Sequence, residues 1–173
     1  MANKPKPKWR VEALSSGHDR ANFSCGKPSL DDFIRRSASQ YDKRNIARTF
    51  VAVVPPEVRV IGYYSLATGS VAFGHLPDVL AKGLPRHPIP VAHLGRLAVD
   101  ESAQGQRLGE YLLLHALSRC SKHAKSIGIH AVEVYALDGE AREFYLKYGF
   151  TSLVDDPLHL YLSMKAIRKL DLP

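Results

Sequence analysis

The segment from Leu94 to Gly109, LGRLAVDESAQGQRLG, constrains the fold more than any other stretch of the chain. It begins as an apolar strand, continues through a polar turn, and ends in a glycine-bearing loop that opens a long amphipathic helix. Such a loop presents unpaired main-chain N–H groups at the positive end of the helix dipole. The segment therefore predicts a binding site for a phosphate or pyrophosphate group.

Hydrophobic patterning elsewhere predicts the elements around this segment. Strands are expected at residues 9–14, 49–54, 59–68, 91–100, 129–136 and 158–165, and helices from Ser29, from Leu108 and over 139–148. Ser29 and Asp32 fit a capping box, Gly128 would end the second helix, and a long loop at 74–90 would hold one helical turn. These elements favour an α/β (α+β) fold with helices on both faces of a mixed central sheet.

Size and composition favour one domain. With 173 residues and 45% apolar content, a single domain over residues 9–173 is expected, preceded by a basic flexible tail at residues 1–8. The sequence lacks an apolar run of the roughly 20 residues needed to cross a bilayer, which predicts a cytoplasmic protein with no membrane partner. Cys25 and Cys120 lack metal-ligand spacing, so we expect ordinary thiols and no metal.

The formal net charge of +7 favours a polyanionic partner, either a nucleic acid or an acidic cofactor. On the first predicted helix, Arg35 and Arg36 lie off the apolar stripe that repeats at helical spacing. They form either a solvated basic face or a nucleic-acid contact surface, and the sequence leaves both interpretations open. In the loop, Gly105 and Gly109 would allow a positive φ or a close approach to a ligand, and Gln104 could donate its amide to an oxygen or brace the loop.

A second segment, Phe144–Phe150 (FYLKYGF), adds a family resemblance. Combined with the Gln-x-x-x-x-Gly loop between strand and helix, it resembles the GNAT acyl-coenzyme A N-acetyltransferase superfamily. The resemblance implies a GNAT fold, in which two parallel strands splay apart and the pantetheine arm of acetyl-CoA inserts between them. The splayed pair would be residues 94–100 and 129–136.

The resemblance also implies which residues bind the coenzyme. Main-chain groups of the first strand would hold the pantetheine arm and the thioester carbonyl, the loop would hold the pyrophosphate, and the start of the following helix would line the other side. The implied set is Leu97, Ala98, Val99, Gln104, Gly105, Gln106, Arg107, Leu108, Gly109, Asp138 and Ala141. Many relatives carry Asn at the position of Asp138.

Arg107 departs from the superfamily pattern Gln/Arg-x-x-Gly-x-Gly/Ala, because it stands where the pattern has its first glycine. We expect the main chain at Arg107 to be helical already, with the guanidinium near the phosphates of the coenzyme. In the alternative, the loop is re-set and Arg107 itself reaches a phosphate.

The same resemblance makes Tyr145 the catalytic residue, a general acid that protonates the departing thiolate. A phenol with a pKa of about 10 suits a leaving thiol with a pKa near 8.5. Phe144 and Tyr148 form an i,i+4 pair that would pack in the core. The strand from Leu94 offers no glutamate as a general base, which hints at an α-amine acceptor, because an α-amine has a pKa of about 7.7–8.0 and is partly deprotonated at neutral pH.

Several stretches resemble one branch of the superfamily: FSCGKPSLDDFIRRSASQ, RTFVAVV, VIGYYSLATGSV, PIPVAHLGRLAVD and AVEVYALDGEAREFYLKYGF. These are similar to the GNAT toxins of type II toxin-antitoxin modules, which acetylate the α-amine of aminoacyl-tRNA and stop translation. The resemblance implies a cytoplasmic homodimer neutralised by a ribbon-helix-helix antitoxin, which together could bind operator DNA as a repressor. Candidate tRNA contacts are Arg35, Arg36, Arg86 and Arg96.

Two other functions remain open from the sequence. A small-molecule or protein N-acetyltransferase would act without RNA. A non-catalytic module would bind coenzyme A or nucleic acid through a retained fold, although the presence of Tyr145 argues against it.

Overall fold

The computed structural model of the chain describes residues 8–173, so the predicted tail, apart from Lys8, lies outside the described residues. Within them, seven strands form one mixed sheet in the order β1-β2-β3-β4-β5-β7-β6. The strands are β1 (Arg10–Ala13), β2 (Arg48–Val53), β3 (Gly62–Val71), β4 (Ile89–Val99), β5 (Ala131–Tyr135), β6 (Thr151–Ser152) and β7 (His159–Ser163). The helices are α1 (Pro28–Asp32), α2 (Ala38–Lys43), α3 (Asp78–Ala81), α4 (Leu108–His123), α5 (Gly139–Leu146) and α6 (Met164–Ile167).

The chain divides into two compact units, each made from two segments. The first unit comprises the described residues up to Ser65 together with Arg96–Leu113, and the second comprises Leu66–Gly95 and Leu114–Pro173. The single domain expected from the sequence stays a prediction. No helix in the described part of the chain is long and apolar enough to cross a membrane.

In the first unit, a helical segment runs from Pro28 to Lys43 through α1, a π-helical stretch at Phe33–Ser37, and α2. It buries Phe33, Ile34 and Ala38 in a core cluster with residues of the sheet, which confirms the predicted apolar stripe. The predicted capping box is wrong. Lys27 is the N-cap residue and makes no side-chain cap, so Ser29 lies inside the helix. Instead, the carboxylate of Asp31 accepts the N–H of Cys25 at 2.8 Å.

The start of α4 approaches the sheet closely at Gly62 in the first unit. A Cβ atom there would lie 2.8 Å from Leu112 Cδ1 and 3.1 Å from Leu108 Cδ2. Both leucines are fully buried, and burying a leucine side chain contributes about 1.5–3 kcal/mol. The sequence also predicts an i,i+4 apolar stripe on this helix, at Leu108, Leu112, Ala116, Cys120 and Ala124. The first four are buried, whereas Ala124 lies beyond the helix end and is only partly buried. The helix ends at His123, before Gly128, so Gly128 does not cap it.

In the second unit, β4 and β5 pair in parallel over Val91–Leu94 and Ala131–Val134, although β4 continues to Val99. On its other side β5 pairs antiparallel with β7, and β7 pairs with the short strand β6, which the patterning missed. The long loop holds α3 where a helical turn was predicted. Its apolar residues pack against a core cluster of this unit; they are Phe73, Leu80, Ala81 and Leu84.

Candidate active site

The loop between β4 and α4 takes two residues into the left-handed region of backbone space. Gly105 has φ of +78° and Arg107 has φ of +66°. The helical backbone expected at Arg107 is therefore wrong, and Arg107 adopts the conformation for which a glycine is ordinarily required. Gly109 is the second residue of α4 and lies outside that region, so of the two glycines only Gly105 has the expected positive φ.

Hydrogen bonds from two side chains hold this loop in place. At the end of β4, the Asp100 carboxylate accepts the main-chain N–H of Ser24 at 2.9 Å and that of Ser102 at 3.0 Å. Although burial raises the pKa of Asp100, these bonds and the nearby Arg59 lower it below its ordinary value overall. The Gln104 amide donates to the main-chain oxygens of Val99 at 3.0 Å and Cys25 at 3.1 Å. Of the two roles considered for Gln104, the structure shows the brace.

The loop is open to solvent and leads directly into the first turn of α4. Residues 104–107 are exposed, whereas Leu108 is buried and fixes the helix start. The first intrahelical bond joins the N–H of Tyr111 to the carbonyl of Arg107 at 3.2 Å, so the N–H groups of Leu108, Gly109 and Glu110 precede the helical hydrogen-bond ladder. A left-handed residue followed by a helix start forms an anion-binding concavity, which fits a pyrophosphate.

The three β4 residues assigned to the pantetheine arm are the last three residues of that strand, Leu97, Ala98 and Val99. They lie beyond Leu94, the last residue of β4 in the parallel ladder with β5. The carbonyl of Val99 already accepts the Gln104 amide. This bond helps to fix the geometry of the strand end and leaves the second lone pair of the carbonyl oxygen for another donor.

The other assigned residues lie on α5, in the second unit. Asp138 is the N-cap of this helix, and its carboxylate accepts the N–H of Ala141 at 2.9 Å. Asp138 and Ala141 are thus brought together by a capping bond, which stabilises the helix start. Asn and Asp are both favoured N-cap residues, so either side chain could make this bond.

Tyr145 is buried near the end of α5 and is held by aromatic rings. Its ring centroid lies 5.2 Å from that of Phe144 and 5.4 Å from that of Phe150, both edge-on. Burial raises the pKa of Tyr145, so the phenol keeps its proton at neutral pH. Phe144 and Tyr148 are in contact at 5.3 Å as predicted, but both are partly exposed rather than core residues.

A chain of four polar side chains in the second unit was missed by the sequence analysis. We call Asp155, His159, Glu133 and His93 the histidine–carboxylate chain. Asp155 Oδ2 lies 2.9 Å from His159 Nδ1, Glu133 Oε2 lies 2.6 Å from His159 Nε2, and Glu133 Oε1 lies 3.2 Å from His93 Nδ1. The one available signal was a glutamate among the apolar residues of β5, AVEVY.

The two central side chains of the histidine–carboxylate chain are buried, and the two at its ends are partly exposed. The side chains of Glu133 and His159 are 8% and 3% exposed, whereas those of His93 and Asp155 are 31% and 20% exposed. Burial raises the pKa of Glu133, but hydrogen bonds from His93 and His159 outweigh burial and leave it lower than ordinary. Gly69 leaves room for the carboxylate, because a Cβ atom there would lie 3.0 Å from Glu133 Oε1. The ring of Tyr135 stacks on His159 at 4.0 Å.

The four arginines predicted to contact tRNA are not equivalent. Arg35 donates to the main-chain oxygen of Phe23 and its Nε is buried without a partner, so this guanidinium points into the protein. The guanidinium of Arg96 lies 3.8 Å over the ring of Phe33. Arg36 is exposed in the first unit, and Arg86 is exposed in the long loop of the second.

Both cysteines are unpaired thiols with a raised pKa. Cys25 and Cys120 are free thiols, and burial raises the pKa of Cys25 to about 11 and that of Cys120 to about 12. Over residues 8–173, no group of three or more His, Cys, Asp or Glu side chains is arranged to hold a metal ion.

Comparisons with known proteins agree on one family and one group of relatives. The family model described as an acetyltransferase (GNAT) domain matches residues 45–152. A tRNA-acetylating toxin of Mycobacterium tuberculosis (strain ATCC 25618 / H37Rv) is 44% identical over 91% of this chain and 93% of its own. The identity therefore extends over both units.

Solved structures with the same fold come from similar proteins. A tyrosine-to-phenylalanine mutant of KacT has a TM-score of 0.89 and 32% identity, covering 94% of this chain and 99% of its own. AtaT complexed with acetyl-methionyl-tRNAfMet has a TM-score of 0.87 and 32% identity, covering 92% and 97%. An AtaT mutant toxin bound to the C-terminus of the antitoxin AtaR (0.81, 29%, covering 94% and 97%) and a KacTA–DNA complex (0.80, 28%, covering 93% and 96%) are also similar.

Proposed function

Because the chain belongs to the GNAT acetyltransferase family, we propose that it transfers acetyl from acetyl-CoA to the α-amino group of aminoacyl-tRNA and thereby blocks translation. The observation that carries this proposal is the 44% identity to a tRNA-acetylating toxin over 91% of the chain. The net charge of +7 supports a polyanionic acceptor.

The coenzyme binds along β4 and the loop that follows it. The pyrophosphate lies at the start of α4, where the N–H groups of Leu108 and Gly109 precede the helical ladder and where Gly105 and Arg107 shape the concavity. The pantetheine arm runs beside Leu97, Ala98 and Val99. The loop needs little reordering to bind, because Asp100 and Gln104 already brace both of its ends. Asp138 and Ala141 act through the start of α5, which their capping bond fixes.

Tyr145 acts as the general acid. The thioester supplies an activated acetyl carbon and a thiolate leaving group, and the phenol gives its proton to that thiolate as the carbon–sulfur bond breaks. One observation supports this role: its ring is held on two sides by Phe144 and Phe150. Burial raises the pKa of Tyr145 above the value of about 10 assumed from the sequence, so the buried phenol is a weaker acid than a free phenol. A fixed ring keeps the proton donor in one orientation.

The acceptor stem of the tRNA is bound by exposed cations, for which Arg36 and Arg86 are better placed than Arg35 and Arg96. The latter two use their guanidinium groups inside the protein, on a main-chain oxygen and on an aromatic ring. An antitoxin of the ribbon-helix-helix type neutralises the enzyme, and the pair binds operator DNA. The antitoxin and DNA complexes of similar proteins support these partners. The toxin is a homodimer and works in the cytoplasm, where charged tRNA is found.

The test is transfer of labelled acetyl from acetyl-CoA to a pool of charged tRNA, beside the same pool deacylated and a panel of free amines and proteins. Label on charged tRNA alone is expected, and it should be released with the aminoacyl ester under mild alkali. Label on free amines or proteins alone would instead indicate a small-molecule or protein N-acetyltransferase. If no acceptor is labelled although acetyl-CoA binds, the chain is a coenzyme-binding module.

A further inference from the structure

We propose that His93 is the general base of the acetyl transfer and that Glu133, His159 and Asp155 are positioning residues that hold its ring. The inference rests on the proposed function, because a base acts only if the chain acetylates an amine. An α-amine with a pKa of about 7.7–8.0 is only partly deprotonated at neutral pH, so a base still raises the rate below that pH. The inference supplies the group that the strand from Leu94 lacks, since His93 lies one residue before that segment and Glu133 lies on the neighbouring strand.

The position of His93 in the sheet is the first argument. The parallel ladder of β4 and β5 ends at Leu94 and Val134, while β4 continues to Val99. A pantetheine arm that adds to β4 as an extra strand must stop where the two protein strands close together. The thioester end of that arm, which the main chain from Leu97 holds, therefore points toward the closed end of the ladder, where His93 pairs with Glu133.

The hydrogen-bond pattern fixes which nitrogen of His93 is basic. The pKa of Glu133 is lowered, so its carboxylate is ionised and only accepts hydrogen bonds. His93 Nδ1, at 3.2 Å from Glu133 Oε1, must then carry the proton, which leaves Nε2 with the lone pair. Within the described residues Nε2 has no hydrogen-bond partner, and the His93 side chain is 31% exposed. This is the arrangement of a carboxylate that orients an imidazole base.

The rest of the histidine–carboxylate chain holds Glu133. Both nitrogens of His159 face carboxylate oxygens, those of Glu133 and Asp155, and the ring is clamped by Tyr135. Burying so many polar groups is costly unless each is paired. A contact between strands could be made by apolar residues. An imidazole that is held in one orientation by a buried carboxylate also needs the side chains that hold that carboxylate.

The proton balance closes with Tyr145 as the acid. The acceptor ammonium gives one proton to His93 Nε2, and the freed lone pair forms the carbon–nitrogen bond with the thioester carbon. The carbon–sulfur bond then breaks, and the thiolate takes the phenol proton of Tyr145. The amine nitrogen loses its second proton as the amide forms, and that proton returns to the phenolate through solvent. His93 releases its own proton to solvent, so one proton is liberated for each turnover.

The test is the pH dependence of acetylation at saturating acetyl-CoA, with charged tRNA as the acceptor. At pH 6.5, His93→Gln is expected to be slower than wild type by roughly 10²-fold, as is typical for a lost general base. The deficit should shrink above about pH 8, because an α-amine with a pKa of about 7.7–8.0 is then deprotonated without help. A merely structural role would lower the rate equally at every pH. His123→Gln, an exposed histidine at the end of α4, is the matched control and should keep the wild-type profile.

The groups that contact His93, or are linked to it through Glu133, must be separated from it in this test. Glu133 bonds to His93, and the ring centroid of Tyr135 lies 6.4 Å from that of His93. His159, Asp155 and His75 are linked in turn to Glu133. Glu133→Gln should lower kcat about tenfold and leave the KM for charged tRNA unchanged, because the ring of His93 loses the carboxylate that orients it. Tyr135→Phe, which keeps the ring stacked on His159, should leave the profile in place.

Chemical rescue keeps the inference testable if a variant is poorly folded. His93→Ala should regain part of its activity on addition of free imidazole, and His123→Ala should not respond. An equal loss for His93→Gln at pH 6.5 and pH 9, or no rescue, would overturn the inference while leaving the proposed function intact. A wild-type chain that binds acetyl-CoA but acetylates no amine would overturn both.

Discussion

The coenzyme loop and the histidine–carboxylate chain differ in exposure and in whether main-chain or side-chain groups form the site. The loop is exposed at residues 104–107, and its main chain provides the binding groups, so its shape depends on backbone conformation and on a few braces. The histidine–carboxylate chain is mostly buried and consists of side chains from β4, β5 and β7 and from the connection before β7. The difference teaches that binding is encoded locally, whereas acid–base chemistry depends on strand register.

The largest expected effect falls on Tyr145, which belongs to chemistry rather than binding. Tyr145→Phe removes the proton donor but keeps the ring between Phe144 and Phe150. Acetylation should fall by roughly 10²–10⁴-fold, while acetyl-CoA affinity and the melting temperature stay close to wild type. Single-turnover kinetics with charged tRNA and calorimetric titration with acetyl-CoA measure the two quantities. Tyr148→Phe on the same segment is the control, and unchanged turnover in Tyr145→Phe would remove the phenol from the mechanism.

Acid stability tests the histidine–carboxylate chain without reference to activity. The pKa of Glu133 is lower in the folded state than its ordinary value of 4.5, so its pairing stabilises the fold above that value and is lost as the pH falls further. Glu133→Gln should therefore melt lower than wild type at pH 7, by several degrees at roughly 2–4 °C per kcal/mol. The difference should narrow toward pH 3.

Protonation of other carboxylates also destabilises the wild-type protein in acid. Asp100 and Asp155 are examples, because their pKa values are lowered as well. The difference in melting temperature between wild type and Glu133→Gln separates the effect of Glu133 from that of the other carboxylates. Glu57→Gln, at an exposed turn before β3, should follow the wild-type curve at every pH. A melting difference for Glu133→Gln that is constant from pH 7 to pH 3 would show that the charge of Glu133 does not support the fold.

A glycine pair tests how far the loop depends on backbone conformation alone. A Cβ atom at Gly105 or at Gly128 would meet nothing within 4 Å, but only Gly105 has a positive φ. Gly105→Ala should therefore cost about 1–2 kcal/mol of conformational strain, seen as a lower melting temperature or weaker acetyl-CoA binding as the loop relaxes. Gly128→Ala should be neutral or slightly stabilising. Equal effects of the two substitutions would contradict a conformational role for Gly105.

The same contrast explains what could be predicted from the sequence. The strand–loop–helix segment, the helix with Tyr145 and most strands were found, because each is encoded by neighbouring residues. His93 and Glu133 are separated by 40 residues, and Glu133 and His159 by 26, so their pairing exists only once the register of three strands is set. The charge pattern likewise could not show that Arg96 stacks on Phe33 or that Arg35 bonds to a main-chain oxygen.

Arg107 is the position where local pattern and structure disagree, and it gives the smallest expected effect. The family pattern has glycine there, and the observed φ of +66° supplies the physical reason: the loop needs a left-handed residue before α4 whichever side chain is present. The arginine tolerates this conformation with its Nε 2.7 Å from Glu110 Oε2, an exposed ion pair of small value. Arg107→Gly should thus raise the free energy of unfolding by up to about 1 kcal/mol, or leave it unchanged where the ion pair offsets the gain.

Arg107→Ala separates conformation from charge at this position. Alanine has the same left-handed strain as arginine but lacks the guanidinium, so it should be less stable than Arg107→Gly by about 1 kcal/mol. Chemical denaturation of both variants measures that difference in stability. Titration with acetyl-CoA measures how much the charge of the guanidinium contributes to coenzyme binding. If both variants bind the coenzyme equally and more weakly than wild type, the guanidinium contacts a phosphate, which is the alternative role that the sequence left open. If both bind as wild type does, the main chain of the loop alone holds the pyrophosphate, and any residue that tolerates a positive φ can stand at position 107.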